Sequence, residues 1–359
     1  MKKKVAIVTF HKAHNYGAVL QAYALKYRIN SLGFDVEFYN YYPAWMKEHY
    51  SLFYKNDNFI SSFKRNIACL IDLKRRYVRF KRFSDFISKE LTEWNENELL
   101  DVDFIVLGSD QIWNPNITQG FDNKCFGFLG ENVKAKVISY AASMETNKLK
   151  DKDISEFTTL LNNIDSIGVR EDSLMSFIKG HIPDIEIQHN LDPTLLLDNT
   201  EWNQLVTKNN TAEKYILIYE NYKDEKTRKI AESIADKYGL KIKTLTADAN
   251  WRYPKDFDTD AGPIEFLNLF SNASFVITTS YHGLAFSINF KKQFLTLKVK
   301  NGVNNRAESL LRSLNLLDHL IDSESFTIDS YSDIDYAKLD LTLNGLRRKS
   351  IGYLSDKLI

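Results

Sequence analysis

At 359 residues the chain is longer than one hydrophobic core usually holds, so two domains are expected. It is 44% hydrophobic and 26% charged, an ordinary composition for a soluble globular protein, and its 47 basic and 47 acidic residues cancel, which excludes a global pull toward nucleic acid. Two cysteines, Cys69 and Cys125, form neither a disulfide framework nor a metal-site pattern, and no stretch nears the roughly 18 apolar residues of a membrane span.

Lys2-Lys3-Lys4 before an apolar run at 5–10 has the charge of a signal peptide, but the run stops at His11 and is too short for one. It reads instead as a buried strand. From Gly17 the apolar positions Ala18, Ala22, Leu25, Ile29 and Leu32 recur at helical spacing, and Gly33 follows as a natural helix stop. A strand at 34–39 completes a β-α-β opening. Residues 60–90 read as one or two helices with an apolar stripe (Ile60, Phe63, Ile67, Leu70, Tyr77, Phe80, Phe83, Phe86). Their other face is basic, with Lys64, Arg65, Lys74, Arg75, Arg76, Arg79, Lys81 and Arg82. A solvated helix face and a contact with anionic head groups or an anionic glycan carrier both fit a basic helix at 64–82.

Further strands are expected at 103–107, 136–140, 165–169 and 185–187. Glu171-Asp172-Ser173 opens a helix with the acidic and capping residues a helix start prefers. The sequence turns polar at 198–213, which places a domain boundary there: an N-terminal Rossmann-like domain at 1–198 carrying the basic insertion, and a C-terminal one at 199–359. The second β-α alternation has strands at 215–219 and 240–245, an irregular loop with Trp251, and a helix opened by Pro263 in the first-turn position proline favours. A strand at 275–278, a polar turn, a strand at 294–299 and a helix at 303–314 follow. A final helix at 345–358 is a candidate to pack back on the N-terminal domain.

Strands alternating with helices twice over give two doubly wound α/β domains facing a cleft. The polar clusters at 14–17, 108–114, 141–143, 170–173, 190–194 and 280–283 all fall at predicted strand C-termini, where such sheets bind ligands. Ser280-Tyr281-His282-Gly283 stands out, because a strand breaks there into small hydroxyl residues, a histidine and a glycine at a helix start. That turn aims N–H groups and a positive dipole end outward, as an anion requires. His11-x-x-His14 has no third ligand nearby, so no metal is expected. There is no Walker A loop and no clean G-x-G-x-x-G.

Asn15-Tyr16-Gly17-Ala18-Val19-Leu20-Gln21, Gly108-Ser109-Asp110-Gln111-Ile112-Trp113-Asn114, Arg170-Glu171-Asp172-Ser173, Asp192-Pro193-Thr194 and Ser280-Tyr281-His282-Gly283 together resemble the polysaccharide pyruvyl transferase family, over residues 4 to about 313. The resemblance implies a GT-B-like fold and transfer of pyruvate from phosphoenolpyruvate to a sugar of a cell-surface polysaccharide or its lipid- or nucleotide-linked precursor, leaving a ketal. It implies no cofactor, and a cytoplasmic protein, peripheral at the inner membrane surface if the basic helix meets lipid. In such chemistry His282 is the candidate acid or a hydrogen-bond donor to the phosphate, and Asp110 the candidate base or an acceptor for a sugar hydroxyl. Arg170, Ser280, Tyr281, Gly283, Lys298 and Arg306 are the candidate donor-binding residues. Asn15, Tyr16, Gly17, Gln111, Trp113 and Asn114 are the candidate acceptor-binding residues. The chain departs from the family pattern at Ser280, where members commonly carry an arginine that holds the donor phosphate; Lys300 joins Arg170, Lys298 and Arg306 as a candidate replacement. A GT-B-like glycosyltransferase using a nucleotide sugar and a non-catalytic glycan-binding relative are the alternatives.

Overall fold

The apolar runs become strands because helices cover them on both faces, as parallel sheets require. The computed structural model describes residues 2–53, 66, 69–144, 149–207, 213–220, 225–249, 253–299 and 304–359. Trp251, Lys300, Lys64 and Arg65 lie outside the described residues.

In the first sheet, strands β1 (Lys4–Val8), β2 (Asp35–Phe38), β3 (Phe104–Leu107) and β4 (Lys136–Ser139) are all parallel, in the order β2-β1-β3-β4. Strands β5 (Ile167–Val169) and β6 (Ile187–His189) pair with each other and extend this sheet through bridges from Ile138 to Ser166 and from Ala142 to Val169. The second sheet holds β7 (Tyr215–Glu220), β8 (Lys241–Thr246), β9 (Phe275–Thr278), β10 (Gln293–Leu297) and β11 (Leu320–Ile321), again parallel, in the order β11-β10-β9-β7-β8. Both orders reverse once, between β1 and β3 and between β7 and β9. Those reversals open the crevices in which doubly wound sheets hold ligands.

Helix α1 (Tyr16–Ser31) starts at Asn15, whose side chain accepts from the Ala18 N–H at 3.2 Å. Helix α2 (Ala44–His49) follows β2, and α3 (Leu73–Glu90) crosses between the sheets. Helices α4 (Asp151–Leu161) and α5 (Asp172–His181) flank the first sheet, and α6 (Glu225–Tyr238) the second. Helix α7 (Pro263–Asn272) opens on its first-turn proline as expected, and the Glu265 carboxylate reaches back to the Gly262 N–H at 3.0 Å. Helix α8 (Tyr281–Asn289) leaves β9 through the polar turn, and α9 (Asn305–Ser313) follows β10.

Helix α10 (Tyr336–Lys357) starts nine residues ahead of its expected place, because Asp335 caps the Ala337 and Lys338 N–H groups. It lies against the first sheet: Tyr353 donates to the Ser139 carbonyl at 2.9 Å and Ser350 accepts from the Leu191 N–H at 3.0 Å. Two Rossmann-like units and a C-terminal helix make the GT-B-like arrangement that the sequence implied.

The basic helix corrects an expectation. Arg75, Arg76, Arg79 and Arg82 of α3 turn toward the second unit, so this face is not simply solvated, although Arg75 and Arg82 keep 34% and 37% of their side chains exposed. Their guanidiniums donate to the backbone carbonyls of Lys255, Ala249, Ala247 and Asp260 at 3.0, 3.2, 2.7 and 2.9 Å respectively. Lys74 and Lys81 remain exposed, Lys81 paired with Asp85 at 2.6 Å. A planar fork of donors satisfies loop carbonyls that no strand or helix partner reaches. Among the described residues no helix is long and apolar enough to cross a membrane.

Candidate active site

The two crevices meet where α1 and α8 begin. Thr9 Oγ1, just past β1, donates to the Ser109 carbonyl, just past β3, at 2.8 Å and accepts from Gln21 of α1 at 2.9 Å, so the first crevice is tied rigidly. Opposite it, the Ser280 N–H donates to Thr278 Oγ1 at 3.0 Å, which fixes the turn into α8. A side chain at Gly283 would lie 2.2 Å from that oxygen, so the turn can close only around a glycine. The N-termini of α1 and α8 then face each other: a Cβ at Gly17 would sit 2.0 Å from His282 Nδ1. The imidazole packs directly on the Gly17 backbone.

Beside His282 is a buried ionised group. Arg170, which follows β5, has its side chain only 1% exposed; it donates through Nη1 to Asp192 at 2.8 Å and through Nε to Glu171 at 3.0 Å. Nη1 also reaches Ser109 Oγ at 3.3 Å, and the guanidinium lies over the Tyr281 ring, 4.9 Å from its centre. Asp192 is fully buried. Its other oxygen accepts from the Thr194 N–H and hydroxyl at 2.9 and 2.7 Å. His282 Nε2 stands 3.6 Å from Asp192 Oδ2, beyond hydrogen-bond length, so they pair electrostatically. Burial alone would push the Asp192 carboxyl up, but His282, Arg170 and Thr194 together outweigh it and hold the group well below the usual carboxylate range. Burial likewise disfavours the Arg170 cation, and Glu171 and Asp192 more than offset it. Arg170 Nη2, Glu171 Oε2 and His282 Nε2 are buried without a hydrogen-bond partner, as are both side-chain polar atoms of Asn190. Unpaired polar atoms at this depth are costly, and here five of them gather around one ion-paired group.

Asp110 sits on the rim of this group. Its φ is 80°, in the left-handed region, and Ala141 on the neighbouring strand end has φ 50°. The two ends are stitched by the Ser143 N–H donating to the Asp110 carbonyl at 3.1 Å. Strain of this kind collects at functional sites. The Asp110 charge acts on both Arg170 and the Tyr50 phenol.

The structure gathers His282, Asp110, Arg170, Tyr281, Gly283, Ser280 and Gly17 in one place. Ser280 is 5% exposed and its hydroxyl meets the Tyr219 phenol. Arg306 on α9 is half-buried with its charge acting on Tyr281, whereas the Lys298 side chain is exposed. Asn15 is exposed at the α1 cap. The other acceptor residues are corrected. Trp113 is fully buried; it donates to the Cys125 carbonyl at 2.9 Å and stacks on Phe126, so it offers no face to a sugar. Tyr16 is 1% exposed, sandwiched between Phe83 and Phe266, with its hydroxyl donating to the Ala261 carbonyl at 2.9 Å. Asn114 caps the turn Pro115–Thr118 and donates to Gln111 Oε1 at 2.6 Å, so these two hold each other. Sequence reasoning put the clusters at 108–114, 170–173 and 190–194 at strand ends but gave Asp192, Glu171, Ser109 and Asn190 no role of their own. Their signal was polar type directly after a strand, which capping residues share.

His11 and His14 go separate ways: His11 meets Glu93 at 2.7 Å, and His14 stacks on Phe83. Among the described residues no three His, Cys, Asp or Glu side chains gather as a metal site.

Two doubly wound units with a buried ionised group at the strand ends between them make a two-domain α/β protein of the GT-B-like class. A family model described as polysaccharide pyruvyl transferase matches residues 15–301, and the chain belongs to that family of transferases. No curated protein matches it. Similar solved structures include a UDP-GlcNAc 2-epimerase from Methanocaldococcus jannaschii, 12% identical, with 96% of this chain and 92% of that one covered and a TM-score of 0.45. The UDP-GlcNAc 2-epimerase from Neisseria meningitidis is 11% identical over 100% and 94%, TM-score 0.47. The glycosyltransferase SnogD from Streptomyces nogalater is 9% identical over 100% and 98%, TM-score 0.43. Likenesses this remote say nothing about substrate.

Proposed function

We propose that the protein transfers pyruvate from phosphoenolpyruvate to two hydroxyls of a sugar in a surface polysaccharide or its precursor. The observation that supports this most directly is the pair of buried, unpartnered donors, Arg170 Nη2 and His282 Nε2, flanking Asp192 where the two crevices meet. An anionic donor needs N–H groups out of water, and Arg170 Nη2, on a guanidinium whose charge Glu171 and Asp192 balance, offers one beside the N-terminus of α8. His282 protonates the methylene carbon, which makes the enol carbon electrophilic. Asp110 takes the proton of the first attacking hydroxyl. The second hydroxyl forms the second C–O bond as the C–O bond to phosphate breaks; its proton leaves with inorganic phosphate. The proton held by Asp110 returns to His282 through solvent, so the balance is one donor and one diol in, one ketal and one phosphate out. Asp192 holds the imidazole and guanidinium in place without entering the reaction. The test is phosphate release from phosphoenolpyruvate in the presence of glycan acceptors: His282→Ala is expected to abolish it with the fold intact, and full activity in that variant overturns the reading.

Ser280 favours a second reading, transfer from a nucleotide sugar, because it brings no charge to the place of the family arginine. Thermal stabilisation by a nucleoside diphosphate and not by phosphoenolpyruvate selects it.

A further inference from the structure

A cavity of about 340 Å³ lies between the start of α1, the end of α2, the middle of α3 and the turn after β8. It joins the carboxyl ends of β1 and β8, one strand from each unit, and its size is that of a small-molecule site. We infer that this cavity is the subsite for the acceptor's sugar ring, with His14, Tyr50 and Phe80 as its walls and Asn15 and Asp248 as the groups that meet the hydroxyls. The inference rests on the transferase reading and adds to it the place and chemistry of the acceptor.

The lining argues for a neutral polyhydroxylated ring over an anion. The rings of His14 and Phe80 stand 4.7 Å apart and those of His14 and Tyr50 5.9 Å apart, so flat apolar faces form one wall. Such faces suit the C–H side of a pyranose. Burial and, second, the Arg79 charge push the His14 pKa down to about 4, so at neutral pH this imidazole is uncharged. The arginines at the cavity's edge turn their guanidiniums on backbone oxygens: Arg76 donates to Ala249 and Leu52 at 3.2 and 3.1 Å, and Arg79 to Ala247 and Ala261 at 2.7 and 3.2 Å. A phosphate would need those donors itself. Asp248 accepts from the Tyr253 hydroxyl at 2.9 Å and keeps acceptor capacity beyond that bond, and Asn15 spends its carbonyl on the α1 cap while its NH2 can still donate.

The cavity also adjoins the chemistry. Asn15 is two residues from Gly17, against which His282 packs. The Asp110 charge acts both on Tyr50 in the cavity wall and on Arg170 in the ionised group, so the proposed base is within electrostatic reach of each. The residues that line it come from four distant stretches of chain, of which only the one at Asn15 carries a motif.

The test uses the full-length protein and two titrations. Methyl glycosides of galactose, glucose, mannose and N-acetylglucosamine are followed by saturation-transfer NMR, and phosphoenolpyruvate by calorimetry. At least one glycoside is expected to bind. Asp248→Asn, Phe80→Ala and the rim-filling Ser51→Trp are each expected to weaken it at least tenfold, with phosphoenolpyruvate affinity within twofold and the circular dichroism unchanged. Absence of binding by all four glycosides overturns the inference, as does unchanged glycoside affinity in both Asp248→Asn and Ser51→Trp. If phosphoenolpyruvate still binds in that event, the transferase reading stands and only the subsite fails. If a glycoside maps to the cavity and phosphoenolpyruvate does not bind, the subsite holds and the donor is wrong.

Discussion

Gly17 leaves room for the His282 ring, and a methyl in its place would lie 2.0 Å from Nδ1. Gly17→Ala must therefore move the imidazole or part the two units. Overpacking of this kind costs about 1–3 kcal/mol, and activity should fall at least as far as in a direct His282 variant, although Gly17 donates no group to the reaction. Urea unfolding beside phosphate-release rates checks both effects. Asp110 poses the opposite case, a residue held at φ 80° whose Oδ1 accepts from the Gln111 N–H at 2.8 Å. Asparagine tolerates that backbone and keeps that bond, so Asp110→Asn should change stability by less than about 0.5 kcal/mol while lowering the rate roughly 100-fold or more by removing the base. His14 sets a pH limit. Its pKa falls from 6.5 to about 4 on folding, through burial first and Arg79 second. Between those values the unfolded chain binds a proton and the folded chain does not, so stability is full above pH 6.5 and declines toward pH 4. The loss should be about 2 kcal/mol once partial exposure is discounted, and His14→Phe, which keeps the ring contacts, should flatten urea midpoints measured between pH 7 and 4.

Helix α3 acts as a strap. Arg79 is 7% exposed and donates to Tyr16 Oη, across to the Ala247 and Ala261 carbonyls of the second unit. Arg79→Ala strands those acceptors in the interior and should cost about 3 kcal/mol in urea unfolding, whereas Lys81→Ala, on the exposed face, should cost under about 0.5 kcal/mol. This contrast also shows where the sequence is legible. β1, β3, β7 and β9 were evident because strands buried on both faces are continuous apolar runs, and α7 because Pro263 marks its start. The strap was not, since an arginine bonded to a carbonyl and an arginine in water occupy the same position in a charge run. The site was half legible. His282, Asp110, Arg170 and Asp192 all follow strands in such motifs, but Asp192 reads as a capping residue, which it also is. Trp113 misled because a motif cannot say whether a ring faces solvent or Phe126. His14, Tyr50 and Phe80 meet within the first unit, and only the closure of the two units adds Asp248, which no spacing in the sequence foretells.

At the scale of the molecule, one continuous apolar cluster runs through both units, joining Val5, Phe38 and Phe104 of the first sheet's surroundings to Tyr215, Phe266 and Phe286 of the second. Trp202 sits between them, fully buried, its ring 5.8 Å from Tyr23 of α1 and 5.0 Å from Phe286 of α8. Interfaces between freely moving domains are smaller and more polar than this. Helix α10 reinforces the join from behind: Arg347 donates to the Leu195 carbonyl at 2.7 Å and to Asn289 of α8 at 3.2 Å, while Tyr353 and Ser350 hold the first sheet. The two units should therefore unfold together. Tryptophan fluorescence and far-ultraviolet circular dichroism are expected to give coincident urea transitions for the full chain. A chain ending at Ile334 loses these ties and uncovers Leu191 and Tyr140, so its two probes should separate. Coincident transitions in the shortened chain at an unchanged midpoint would show that the shared core alone couples the units and that α10 is only attached to it.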